Sequence, residues 1–544
     1  MMRFWPAAPR RPDDVVARAD EICGGRWSYI GEGYDLGASP DWQVNPSTDK
    51  EWQIAWHKHY FSYELAQAFD LTGDTGYLQC LANLLTSWLA EMGQGWITTS
   101  DAQVEAKRVE NWIGMLAVLE RSGGSRHLDP RLLKDVVERL GADADYIAAN
   151  LKRERNHRTF QLWSVFAVGV LFPELDGATQ RRDIARELLT ANLLVDLRSD
   201  GGQVEGSTHY HQLVTETALS FAELCADHEL QFDAELRDRL RLALEFCAWF
   251  EWPDGDIPLI NDADQGRHDH LLVRGAALFG EPIVRHGVDR DFRSSGYVVF
   301  TAPQRHLLID LAQMGDGSHA HYDLGSFTYW AAGAPRLVDP GRFTYSSVPD
   351  ADGVDWRYHF KSTAAHNTVQ IDGRDQCRYL SRTKRGPDPW LEERVVGFDA
   401  ASPWAFGRIC SHEYPVVHER CIVFIDRQYV LIVDRIVALD GLEHHVEVRF
   451  HLPPADGGTA VVSTLPLERQ PGWFAPSYGV KFPARVIVGR TTAALCTFAS
   501  SVGHGDVALI SIEAEGDRFV LRQVDGAVRV LRPGDGIAGR WELT

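Results

Sequence analysis

Near Arg290 the hydrophobic period of this chain changes from that of a helix to that of a strand, and few architectures accommodate such a change. From about Asp13 to Arg285 apolar residues recur three and four apart. Val109, Trp112, Ile113, Leu116 and Leu119 form one such stripe, Val214, Ala218, Phe221 and Cys225 a second, and Leu236, Leu240, Ala243 and Cys247 a third. LTGDTG (71–76), RSGGS (121–125) and PELDGAT (173–179) punctuate the run with helix stops. Amphipathic helices joined by short turns must bury their stripes against one another, as an array, bundle or toroid. No repeat is clean enough to count units. Beyond Arg290 the chain reads as short, turn-bounded strands: SSGYVVF, RHLLIDLA, GSFTYWAAG, NTVQIDG, CIVFIDRQYVLIVDRIVAL and HHVEVRFHLP. Val446, Val448, Phe450 and Leu452 alternate with Glu447, Arg449 and His451, DRQ (426–428) reads as a hairpin turn, and VRVL (528–531) continues the alternation. At 544 residues the chain is too long for one core. The expectation is an α+β chain of two domains, helical over 1–290 and antiparallel β, as a sandwich, over 291–544, joined near 286–294. Helices that precede strands, without interleaving, argue against a Rossmann or barrel plan.

Charge narrows the partners. A formal net charge of −21 argues against non-specific binding to nucleic acid or to an anionic membrane, and an anionic substrate would require a local basic cleft. The 17 Trp and 16 Tyr suit a cleft that stacks sugars, although most aromatic residues serve the core. Eight cysteines are scattered without a CxxC, so a disulfide framework is not expected. MMRFWPAAPRRPDDVVARADE holds no apolar run long enough for a signal peptide and no stretch approaches a membrane span. The chain as written is therefore expected in the cytosol, or in the periplasm or outside the cell were a leader missing from it.

The densest chemistry lies in GDGSHAHYDLGSFTYWAAGAPRLVD (315–339). His319, His321 and Asp323 occupy every second position, so in an extended segment all three would project to one side. Asp339 and His366 follow, and together these groups suit proton transfer or zinc; a polar outer strand face is the plainer reading of His-x-His. In the helical half, Arg153-Glu154-Arg155-Asn156-His157-Arg158 enters the apolar run FQLWSVFAVGVLF, where it either holds an anion or caps a helix with a solvated basic turn. DGGQVEGSTHYH (200–211) crowds polar groups behind helix-breaking glycines, and an ordinary inter-helix loop would look similar. Trp42, Trp52, Trp56, His57 and His59 read as core more readily than as a sugar platform. NDADQGR (261–267) resembles part of a calcium loop but lacks its closing acid. Walker and GxSxG sequences are absent.

Taken in order, DWQVNP, EWQIAWHKHYF, RVENWI, RNHR, DGGQVEGSTHYH, SHAHYDLGSFTYWAAGAPRLVDPG and FKSTAAHNTVQIDG resemble the heparinase II/III superfamily of polysaccharide lyases, nearest the heparinase III-like branch. The motifs are weak singly and specific jointly, and they span nearly the whole chain. The resemblance implies an incomplete α/α toroid followed by an antiparallel β-sandwich, and cleavage of uronic-acid polysaccharides by β-elimination. It assigns carboxylate neutralisation to Asn156 with His157 beside it, and catalysis to Tyr210 and His319. It assigns a structural zinc, held in some members, to His321, Asp339 and His366; for Asp323 it implies no more than support.

β-Elimination removes the proton on C5 of a uronate and expels the oxygen on C4. The substrate carboxylate resists the added negative charge, so donors aimed at it come first. Neutral His319 can take the proton unaided, and Tyr210 can serve as acid with its ordinary pKa of about 10. Tyr210 as base would need on the order of 4 kcal/mol of local positive potential. A uronyl C5-epimerase would use the same groups without making an unsaturated product, and a non-catalytic polysaccharide-binding protein would need no matched acid and base. A glycoside hydrolase would need two carboxylates at a set separation, and nothing supports Glu205 paired with Asp200 or Asp316. The polymer, endo or exo action and the oligomeric state are not legible in the chain.

Overall fold

In the computed structural model, which describes residues 12–92, 102–315, 318–381, 383–505, 509–516, 518–523, 526–533 and 541–543, the change of period becomes a change of structure. Asp316 and the first 11 residues of the N-terminal stretch lie outside the described residues. Among those described, eleven α-helices run between Pro12 and Phe279, interrupted by one small hairpin (Arg26–Tyr29 with Glu32–Asp35). Strands then dominate from Asp289 onward. No described helix is long and apolar enough to cross a membrane, and all eight cysteines are free.

The chain divides into two compact units, Met1–Asp196 with Glu216–Asp238, and Leu197–Thr215 with Arg239–Thr544. In the first unit the helix Gln103–Ser122 buries Val109, Trp112, Ile113 and Leu119, leaves Leu116 half-buried, and buries most of its other faces as well. Pro130–Ala149 begins where Asp129 accepts a hydrogen bond from the Arg131 amide and proline fills the first helical position. The Trp cluster is core: Trp27, Trp42, Trp52, Trp56 and Phe61 are fully buried, and the Trp42 and Trp56 rings stack at 4.7 Å.

The second unit is built on antiparallel sheets. Asp289–Phe292, Tyr297–Ala302, Arg305–Asp310, Phe327–Ala331 and Ala334–Leu337 form a five-stranded meander. A six-stranded sheet contains the long hairpin Val416–Ile425 and Tyr429–Ala438. Asp426 and Arg427 turn that hairpin with φ of 48° and 56°, the left-handed pair whose twist matches the flanking strands. A four-stranded sheet carries His444–Leu452. Phe300 and Ile309 of the first sheet, Phe424 and Ile432 of the second, and Val448 and Phe450 of the third share one apolar core.

A buried ion cluster ties this core to the loops around the candidate site. The Arg420 guanidinium donates to Asp434 at 2.7 and 3.1 Å and to the carbonyls of Gly325 and Asn367, while His418 Nε2 lies 2.7 Å from Asp434. Burial pushes the Asp434 carboxyl up, but Arg420 and His418 outweigh it and hold the carboxyl down at about 2. A depressed folded-state pKa supplies stability that is complete above the unfolded value of 3.8 and is lost as pH falls towards 2. Asp434→Asn is expected to destabilise the protein by about 3–5 kcal/mol, because it leaves Arg420 buried without its counter-charge. Denaturant melts at a series of acidic pH values should also show a shallower loss of stability in that window; unchanged melts would contradict this role.

Candidate active site

The loop 197–207 delivers Tyr210. Gly201 has φ of 93°, and a Cβ there would lie 2.3 Å from the Leu242 carbonyl, so the chain passes too close to its neighbour for any side chain. The Gly206 carbonyl accepts from Tyr297 Oη at 2.7 Å and from Asn261 Nδ2 at 2.9 Å. Ser207 then opens the helix Thr208–Asp227 by accepting from the Tyr210 amide, and its hydroxyl donates to the Asp262 carbonyl. Tyr210 is thereby fixed in the first helical turn.

Asp262 is the centre of the site. Its fully buried carboxylate takes Arg357 Nη1 and Nη2 at 2.5 and 2.7 Å, His319 Nδ1 at 2.9 Å and His321 Nε2 at 3.0 Å. Burial raises its proton affinity, but the Arg357 charge and the two imidazoles prevail and keep it ionised, well below the usual carboxylate range. An ionised carboxylate only accepts, so neutral His319 carries its proton on Nδ1 and presents a lone pair at Nε2. Burial pushes the His319 pKa down to about 4 against the pull of Asp262, so the neutral form prevails at pH 7. Nε2 faces Glu205 Oε2 at 3.3 Å, a contact that two unprotonated acceptors oppose, so the lone pair is free to act only once the Glu205 side chain moves off it. Arg357 and Lys361 both donate to the Ser318 carbonyl, at 2.8 and 2.6 Å, and pin the segment that bears His319.

The Tyr210 and His319 rings stack with centroids 3.9 Å apart. Tyr210 Oη lies 2.7 Å from Tyr345 Oη, which accepts a hydrogen bond from Arg342. Arg342 is in turn paired with Asp264. Burial pushes the Tyr210 phenol up to about 12, more than Arg342 and Tyr345 bring it down. A proton-bearing phenol and a lone-pair imidazole therefore stand side by side, with two guanidinium groups in the same unit.

Beside them lies a candidate metal cradle. His321 Nδ1 and His366 Nε2 are 3.0 Å apart, and Asp339 Oδ2 is 3.7 Å from His366 Nε2. All three residues are buried, with one ligand atom from each within 4.8 Å of the others. His366 Nδ1 must donate to the Ser362 carbonyl, 2.8 Å away, and His321 Nε2 to Asp262. In neutral rings the two facing nitrogens are consequently both lone pairs, and Asp339 Oδ2 has no hydrogen-bond donor. Two imidazole lone pairs and a carboxyl oxygen that no donor satisfies suit a cation. Burial pushes the Asp339 carboxyl well above its usual range, and the nearby Asp323 and Asp310 add to this, a repulsion that a divalent cation would relieve.

Of the residues expected from the sequence, Tyr210 and His319 come together, and so do His321, Asp339 and His366. Asn156 and His157 belong to the other compact unit, in the first turn of the helix Arg155–Leu171, with Asn156 buried. That turn is anchored through Thr159, which donates to Asp196 at 2.7 Å and accepts from Asn192 at 2.8 Å. The extended reading of His319 to Asp323 fails. Residues 318–325 join no sheet, because their backbone groups bond irregular partners: the His321 amide to Asn261 Oδ1, the Tyr322 amide to the Lys361 carbonyl. His319 and His321 still reach one carboxylate, whereas Asp323 joins the buried acids Asp310 and Asp339. Asp262, Arg342, Tyr345 and Arg357 were not expected in the site, and Glu205 was weighed only as one acid of a hydrolase pair. NDADQGR, set aside as a defective calcium loop, supplies Asp262 and Asp264, and its two acids beside an asparagine were the available signal.

Residues 26–277 match the family model described as Heparinase II/III N-terminus, and residues 285–519 match that described as Heparinase II/III-like, C-terminal. The chain belongs to the heparinase II/III family. Its relatives include the heparin-sulfate lyase of Bacteroides stercoris, 23% identical over 74% of this chain and 65% of the relative, and that of Pedobacter heparinus, 22% identical over 79% and 68%. The chain thus spans about two thirds of the length of the curated relatives it matches. Among solved structures, one titled Crystal Structure of Heparinase III covers 100% of this chain and 91% of its own, with a TM-score of 0.78 and 15% identity, so the fold is heparinase III-like.

Proposed function

We propose that this protein is a polysaccharide lyase that cleaves a uronic-acid-containing glycosaminoglycan or related polymer by β-elimination. The stacked Tyr210–His319 pair, with His319 oriented by Asp262, carries this reading, and the named activity of the relatives supports it. Asn156, with His157 beside it, neutralises the substrate carboxylate as charge develops on it. His319 takes the C5 proton through Nε2, displacing Glu205 from its contact, and Tyr210 protonates the leaving oxygen on C4. Tyr210 serving as both base and acid is the weaker version. With its phenol pushed up to about 12, deprotonation at pH 7 would cost on the order of 7 kcal/mol. We take the architecture to be an incomplete α/α toroid over 1–290 and a β-sandwich over 291–544.

His321, Asp339 and His366 would hold a structural zinc, two nitrogens and one oxygen being an accepted partial set. The ion would fix His321, whose far nitrogen binds the carboxylate that orients His319. Elemental analysis of protein purified without added metal is expected to find about one zinc per chain, and His366→Ala to abolish it. Metal-free protein with full thermal stability would refute the assignment.

Heparan sulfate, hyaluronan, alginate and bacterial exopolysaccharides, incubated separately with the enzyme, test the reaction. Ultraviolet absorbance from the conjugated, unsaturated uronide is expected with at least one. Uronate inversion without absorbance would indicate an epimerase, and polymer binding with neither would indicate a non-catalytic binder. Either result overturns the lyase reading.

A further inference from the structure

Phe343 sits between Arg342 and Tyr345, both used in the site, yet its own ring has no part there. Its φ of 54° is unusual for a bulky residue and stores strain on the order of 1–3 kcal/mol. The strained turn is held by two backbone bonds, Thr344 N to the Arg342 carbonyl at 2.7 Å and Gly479 N to the Phe343 carbonyl at 2.7 Å. It gives Phe343 a separate partner, Lys481. The Lys481 ammonium lies 4.1 Å from the Phe343 ring centroid, 4.2 Å from that of Trp356 and 5.4 Å from that of Trp473. Trp356 and Trp473 meet edge to face at 5.3 Å, and Asp350 accepts the Trp356 indole N–H.

All four residues of the cage are partly exposed. Among the described residues no carboxylate lies within ion-pair distance of Lys481, in a chain whose formal charge is −21. Trp473 and Lys481 stand on the paired strands Leu467–Ser477 and Val480–Ala493, near their turn at Tyr478. Tyr478 Oη accepts from the Tyr345 amide, so the cage and the Tyr345 phenol are braced by one contact. An ammonium in no direct ion pair, whose charge reaches Asp350 beside the Trp356 indole and which is seated on aromatic faces, offers charge for an acidic substituent and apolar surface for the C–H face of a sugar ring.

We propose that Phe343, Trp356, Trp473 and Lys481 form a distal subsite that binds an anionic pyranose of the polymer, away from the reacting residue. The choice of ligand rests on the lyase reading; binding at the cage does not require turnover. Affinity electrophoresis of the full chain, carrying Tyr210→Phe so that polymer is not consumed, tests the subsite directly. Gels contain heparan sulfate, an unsulfated uronate polymer, or neutral dextran. Trp473→Ala and Lys481→Ala are each expected to weaken retardation by an anionic polymer about tenfold, and Lys481→Arg to retain it. Retardation by both acidic polymers assigns the contact to carboxylate, and by heparan sulfate alone to sulfate. Unchanged retardation in both alanine variants, no retardation of the Tyr210→Phe parent, or equal retardation by dextran would each overturn the proposal. An enzyme that makes no unsaturated product while the cage variants lose binding refutes the lyase reading and leaves the subsite standing. Product formation with unaffected variants does the reverse.

Discussion

Tyr210→Phe is expected to lower kcat on a uronate polymer by about 10²–10⁴-fold, with KM little changed. The substitution removes one oxygen. The phenyl ring retains its place in the first helical turn and its stack at 3.9 Å on His319, so the imidazole keeps its support. The lost group is the proton that the phenol holds at neutral pH. A loss in kcat without a change in KM is the signature of an interaction made only in the transition state. Tyr345→Phe serves as the companion: its hydroxyl meets Tyr210 at 2.7 Å and accepts from Arg342, but it acts through Tyr210 and should cost less. Steady-state kinetics on one polymer, with thermal melts to show that each variant folds, decides the matter. Near-parental turnover in Tyr210→Phe would remove the phenol from the mechanism.

Much of this was legible because local physics dominates it. The helix Gln103–Ser122 forms where the stripe Val109, Trp112, Ile113, Leu116 and Leu119 predicts it, although Leu116 is only half-buried and the opposite faces are buried too, and DRQ between two apolar runs does turn a hairpin. Tyr210 and His319 are marked by the company they keep in sequence. Asp262 carries no such mark. It acquires its role from partners 57, 59 and 95 residues away, and a short acidic loop reads the same whether its acids face water or two buried imidazoles. Tyr345 and Arg342 were hidden for another reason, since RFTY gives no sign that its phenylalanine adopts a left-handed conformation and turns away from its neighbours. The alternation of His319, His321 and Asp323 misled because period two implies a strand only where a neighbouring strand can pair with it. Asn261 and Lys361 take those backbone bonds instead.

Asp262→Asn should be the more damaging change, although Asp262 makes no contact with the reacting atoms in the proposed mechanism. An amide of the same shape offers one accepting oxygen and one NH2, where four donors now converge on two oxygens. If its oxygen keeps Arg357, its NH2 faces His319 Nδ1 and draws that lone pair. The imidazole proton then moves to Nε2, and the base is lost without any movement of the ring. A wrong tautomer in a comparable carboxylate–histidine arrangement costs about 10⁴-fold in kcat, and a loss of about 10³–10⁴-fold is expected here. Arg357 would also lose its counter-charge, at about 3–5 kcal/mol of stability, so thermal melts must accompany the kinetics. A double-mutant cycle separates the two consequences. If Asp262 acts through the imidazole, adding Asp262→Asn to His319→Ala should cost little further activity, since the group it orients is already gone. Additive losses would mean that Asp262 serves the fold and the metal cradle but not the base, and the assignment of His319 as the proton acceptor would then lack its main support.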